Sequence, residues 1–122
     1  MARFEISLPP SANSAYINIP GRGRARSASH EKWKNSAGWE IQLQRVPKVA
    51  GHYAVNIFAP QKMRGDIDGR IKLILDLLVE MGVTPDDRFC DRCSIERSGD
   101  VTAGRVIVEV EDCLSHEGMP ES

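Results

Sequence analysis

The sequence predicts an α/β domain of the α+β kind, with a mixed sheet of about four strands and two main helices. Three observations predict it. The 122 residues are enough for one modest core and too few for two. A composition of 41% hydrophobic and 27% charged residues without a low-complexity tract is globular. The apolar spacing switches between a period of two and a period near 3.6, in the order strand, helix, strand, helix, strand, strand.

Phe4, Ile6 and Leu8 alternate with Arg3, Glu5 and Ser7, the pattern of a half-buried strand. Pro9-Pro10 ends it, because proline offers no N–H to a ladder. Residues 11–28 are polar and rich in Ser, Asn, Gly and Arg, which predicts a long functional or disordered loop. From about Ser29 to Gln44 the spacing of Trp33, Ala37 and Ile41 predicts a helix, stopped before Pro47. Trp33 and Trp39 are both expected in the core. Tyr53, Val55 and Ile57 alternate with Ala54, Asn56 and Phe58 in a second strand that stops at Pro60.

The next helix is the best marked, with Asp68 as its N-cap and Gly82 as the residue just past its end. Ile71, Leu75, Leu78 and Met81 make its apolar stripe. Ile74 and Leu77 widen that stripe to more than half the circumference. After Thr84-Pro85-Asp86-Asp87, residues 88–96 and 104–111 read as two strands, joined through Ser98-Gly99-Asp100 as a hairpin.

Charge is unevenly distributed. Residues 1–108 hold sixteen bases and twelve acids, a balance of +4, whereas residues 109–122 hold five acids and no base. A folded domain over 1–112 and an acidic, disordered tail over 113–122 are therefore expected. No apolar run approaches the roughly 18–20 residues of a membrane span. The start of the chain lacks the apolar h-region of a signal peptide. Three cysteines, an odd number, suit reduced thiols, and a cytoplasmic location is expected.

The chemistry concentrates in Arg64-Gly65-Asp66-Ile67-Asp68-Gly69-Arg70-Ile71-Lys72. Asp66 and Asp68 are two apart, so in an extended lead-in both carboxylates point the same way. Lys72 lies one turn beyond Asp68, and Asp76 one turn further, placed to hold the ammonium. Asp86 and Asp87 follow this helix in sequence. They join the acids only if the next strand runs back past the helix start. Such carboxylates suit Mg²⁺, with Mn²⁺ as a substitute, because both take hard oxygen ligands and leave positions for water and phosphate. In phosphodiester cleavage such a metal polarises the phosphoryl oxygen and orients the attacking water. Arg22, Arg24 and Arg26, in the run Gly21–Ser27, can follow a phosphate backbone, and Lys62, Arg64 and Arg70 flank the acids as further DNA-facing cations. Asn13 and Tyr16 are weaker candidates.

The ordered set of Leu8-Pro9-Pro10-Ser11-Ala12-Asn13, the Gly-Arg run, Asp66-x-Asp68-x-x-x-Lys72 and Asp86-Asp87 after Gly82 resembles the RusA family of Holliday-junction resolvases. The resemblance spans roughly residues 3–110. It implies a homodimeric, Mg²⁺-requiring endonuclease that cuts branched DNA symmetrically in recombination and repair. It also implies essential aspartates at Asp66, Asp68 and Asp87 and an essential lysine at Lys72; Asp76 and Asp86 are expected beside them as supporting acids from their spacing. One departure stands inside the motif: Gly69 occupies the place where family members commonly carry asparagine.

Two rival readings come from other classes. Cys90-x-x-Cys93 and Cys113-x-x-His116 have the spacing of a zinc staple, which would make the chain a binding module. Against it, residues three apart in a regular strand face opposite sides, and Cys113 and His116 fall in the polar tail. The Gly69 departure also allows a catalytically inactive module that binds branched DNA.

Overall fold

The computed structural model describes residues 2–10, 16–19, 23–26, 28–63 and 67–113, without the side chains of 16–19, 23–26 and 67–69. A four-stranded mixed sheet carries the core. Its strands are β1 (Ala2–Ser7), β4 (Tyr53–Pro60), β5 (Cys90–Ser98) and β6 (Arg105–Asp112), in the spatial order β1-β6-β4-β5. β6 runs antiparallel to both β1 and β4, whereas β5 runs parallel to β4. The expected mixed sheet with two main helices is what the chain forms.

The hairpin expected between the last two strands does not form. β4 lies between β5 and β6, and residues 99–104 carry the chain across its end. The burial of β4 explains the choice. Tyr53, Val55, Ile57 and Ala59 are completely covered, and Ala54 on the other face is also buried, so this strand needs a neighbour on each side. Alternation along β5 and β6 reports which face each side chain takes, not which strand lies alongside.

Residues 11–28, expected as a loop, contain a two-stranded hairpin, β2 (Tyr16–Ile19) with β3 (Gly23–Arg26). Tyr16, Ile17 and Ile19 are good strand formers. The arginine content of β3 hid that signal.

The first helix, α1 (Ala28–Leu43), buries Trp33, Ala37 and Ile41 as the spacing predicts. It is fastened to β1 through polar bonds. The Trp33 indole donates to the Ser7 carbonyl at 2.8 Å, and the Ser7 amide donates to Glu40 at 2.8 Å. Arg105 joins Glu40 to Glu5, an ion-paired bracket at the β1 side of the sheet. Burial pushes the Glu40 carboxyl up, but the bonds from Arg105 and Ser7 outweigh it and hold the group below its ordinary value. Trp39 departs from expectation, being 61% exposed. Six residues past Trp33 is about 240° around the helix, which places it on the opposite side.

The second helix, α2 (Ile67–Glu80), connects parallel β4 to β5 as a crossover. Its buried stripe centres on Leu73, Ile74, Leu77 and Leu78, while Ile71 and Leu75 lie at the margin. Asp68, read as the cap, falls inside the first turn. The C-terminus closes as a Schellman motif: Gly82 takes φ +75°, its N–H bonds the Val79 carbonyl, and the Val83 N–H bonds the Leu78 carbonyl. Cys113, assigned to the tail, is buried, and its amide donates to the His52 carbonyl at 2.9 Å.

Candidate active site

α2 carries Lys72, Asp76 and Glu80 at four-residue steps, so the helix aligns them in a charged row, and the backbone of Asp68 lies one turn before Lys72. Successive members are about 6 Å apart along the axis, which puts Lys72 midway between Asp68 and Asp76. The Lys72 ammonium stands 3.9 Å from the Asp76 carboxylate, and its side chain is 71% exposed. The orienting partner expected from the i,i+4 spacing is therefore present, and the pair is loose.

The Schellman turn at Gly82 reverses the chain, so residues 83–89 return along α2. Asp86, Asp87, Asp76, Val79 and Glu80 then line one cleft of about 270 Å³. Asp86 caps the short 3-10 turn Asp87–Phe89 by accepting from the Arg88 amide at 3.2 Å. That bond, followed by a hydrogen bond to the Asp87 side chain, holds Asp86 below its ordinary value. Asp87 is held above its own, first by the bond to Asp86, then by partial burial and the Asp86 charge. Lys72 pulls it back and Asp76 adds to the rise. The two neighbouring carboxylates raise and lower one another's affinity for a proton, as closely set acids do.

That crowding fits a divalent cation. Every side-chain donor in the cleft is a carboxylate oxygen, the ligand type Mg²⁺ takes, and a cation would relieve the repulsion among them. Among the described residues no three His, Cys, Asp or Glu side chains already form a metal-holding group. Asp66 and the side chain of Asp68 lie outside the described residues.

Of the other expected site residues, the structure brings Lys72, Asp76, Asp86 and Asp87 into one neighbourhood. Asp86 and Asp87 precede β5, so they stand beside the middle and C-terminal half of α2. Arg70 has its Nε committed to the Pro9 carbonyl at 3.0 Å, which ties the Pro9-Pro10 exit of β1 to the helix bearing the acids. Lys62 is exposed in the turn after β4. Arg22, Arg64 and Asn13 lie outside the described residues, as do the side chains of Arg24, Arg26 and Tyr16.

Tyr53 and Thr84 were not legible as site residues. Both hydroxyls are buried beneath the Asp86-Asp87 loop without a well-formed hydrogen bond. Burial first, eased by nearby Thr84 and reinforced by Cys90, Asp87 and Asp86, pushes the Tyr53 phenol up. The only sequence signal was a tyrosine at the start of an otherwise aliphatic strand.

The cysteines also differ from expectation. Tyr53 pairs with Cys90 and Ala54 with Arg92, so Asp91 is an extra residue and β5 bulges there. The bulge turns Cys90 to the inward face with Cys93 and Ile95, all three packed on the core. Burial pushes the Cys93 thiol up to about 11. All three cysteines are free thiols, and His116 lies outside the described residues.

Fold and cleft together define a compact α+β protein with an acidic groove suited to a hard divalent cation. The family model of the endodeoxyribonuclease RusA matches residues 8–111, most of the chain, and this protein belongs to that family. Membership implies a nuclease that resolves Holliday junctions. None of the curated proteins matches the chain.

Proposed function

We propose that this protein is a Mg²⁺-dependent endonuclease that cuts branched DNA as a homodimer, with Asp66, Asp68 and Asp87 holding the metal and Lys72 acting beside it. The observation that carries this reading is the grouping of Asp87 with Lys72 and Asp76 on the helix whose first turn contains Asp68. A bound metal supplies charge neutralisation at the phosphoryl oxygen and a polarised water. Asp86 keeps its carboxylate on the Arg88 amide, which fixes the loop and leaves Asp87 to face the cleft. Lys72 offers its ammonium to charge developing on the scissile phosphate. Asp76 orients that ammonium from the next turn.

Arg22, with Arg24 and Arg26 of β3 and with Lys62 and Arg64, neutralises the phosphates that the acids would otherwise repel. Arg70 is the exception among these cations, because it braces the loop exit at Pro9. The nuclease domain spans about residues 1–112, with an acidic tail over 113–122. A cytoplasmic setting agrees with the three free thiols and with the lack of a described helix long and apolar enough to cross a membrane.

The test is incubation with a synthetic four-way junction, with and without Mg²⁺, for the native chain and Asp87→Asn. Cleavage should require the metal, and Asp87→Asn should abolish it while junction affinity stays equal or rises. An Asp87→Asn protein that cleaves normally would remove Asp87 from the metal site.

A further inference from the structure

β5 is an edge strand: among the described residues, β4 pairs with one side of it and no strand pairs with the other. Nine residues of open edge are long for a strand left unprotected. The sequence along it is self-complementary about Ser94. Read outward from that residue, Cys93 mirrors Ile95, Arg92 mirrors Glu96, and Asp91 mirrors Arg97. An antiparallel pair related by a two-fold axis at Ser94 therefore opposes an apolar pair and, in Arg92 with Glu96, a pair of opposite charge, each occurring twice, while Asp91 stands in the bulge.

The faces agree with this register. Cys93 and Ile95 point inward beside Val55 and Ile57, and both are only partly covered. Ser94, Arg92 and Glu96 take the other face, where the Ser94 hydroxyl donates to Asn56 at 2.9 Å. Pairing would extend the inner row of Val110, Val55 and Cys93 across the axis into Ile95, Ile57 and Val108 of the second copy.

We infer that the open edge of β5 is the surface on which a second copy of this chain docks, antiparallel and centred on Ser94, to give one continuous eight-stranded sheet. The inference deepens the homodimer reading above and rests on it. A two-fold axis perpendicular to the sheet leaves both α2 helices, and both acidic clefts, on the same side. The two Cys90 backbones, at the cleft ends of the paired strands, then stand about 20 Å apart, from six steps of about 3.3 Å once the bulge at Asp91 is passed over. One branched DNA laid on that side can meet both clefts.

Two measurements on the full chain test it. In sedimentation equilibrium, Glu96→Arg sets like charges opposite Arg92 twice per dimer and should weaken association on the order of tenfold or more. Arg92→Glu should do the same. A one-to-one mixture of the two variants regains every opposed charge and should associate like the native chain. In mild oxidation, Ser94→Cys should crosslink to itself, since directly opposed residues lie about 4.5–5.5 Å apart, within disulfide reach. Glu96→Cys should not, and the native chain controls for Cys93, whose thiol stays protonated. A native dimer that ignores both charge reversals and resists crosslinking through Ser94→Cys overturns this surface and leaves the homodimer reading intact. A native chain that is monomeric at every concentration overturns both.

Discussion

Removing the Lys72 ammonium separates a catalytic cation from an ornamental ion pair, because the two roles predict effects on different quantities. The ion pair contributes little to stability. At 3.9 Å, with the lysine side chain 71% exposed, the attraction in water is about 1 kcal/mol before salt screening. Holding two flexible side chains together offsets most of that, and lysine preceding the acid is the weaker i,i+4 order. Lys72→Ala should therefore change stability by less than about 0.5 kcal/mol and Tm by no more than roughly 2 °C. Its effect on cleavage should be much larger. A positioned charge that acts in the transition state is worth about 10²–10³ in rate, or roughly 2.7–4 kcal/mol. Mg²⁺ titration should show equal or tighter binding in the variant, since a competing positive charge has left the cleft. Lys72→Arg should rescue only in part, because a planar fork does not replace a compact ammonium. The assay is single-turnover cleavage of a saturating four-way junction, paired with a thermal melt. A rate within a few-fold of native would refute the argument and leave Lys72 a surface charge.

Other predictions use different parts of the molecule. Glu40 has a depressed folded value, so its contribution is complete above its ordinary pKa of 4.5 and is lost as pH falls through the folded value. Glu40→Gln should cost about 1–2 kcal/mol in urea unfolding at pH 7 and much less near pH 3. An equal loss at both pH values would show that the carboxylate charge is not the cause. Replacing Arg22, Arg24 and Arg26 with alanine should weaken binding to all junction sequences alike. The same variant should flatten the salt dependence by about one unit of slope per lost phosphate contact. Native affinity across salt would make the hairpin irrelevant to DNA.

The local part of this protein is written in its sequence. β1, α2 and the Gly82 stop follow from spacing and from one residue that tolerates positive φ. Lys72 and Asp76 meet because a helix brings every fourth residue together. Those features depend on neighbours within a turn or two, and the residues state them directly. The tertiary structure decided what long-range pairing decides. It put β4 between β5 and β6, since burial on both faces of β4 outweighs a short link between the outer two. It brought Asp86 and Asp87 back along α2, because a crossover must reverse before a parallel strand can start. It turned Cys90 inward with Cys93, because a one-residue bulge at Asp91 shifts the alternation that the sequence alone would continue. A pattern of alternating residues fixes which side of a strand is apolar, but the partner that covers that side is chosen by the packing of the whole chain.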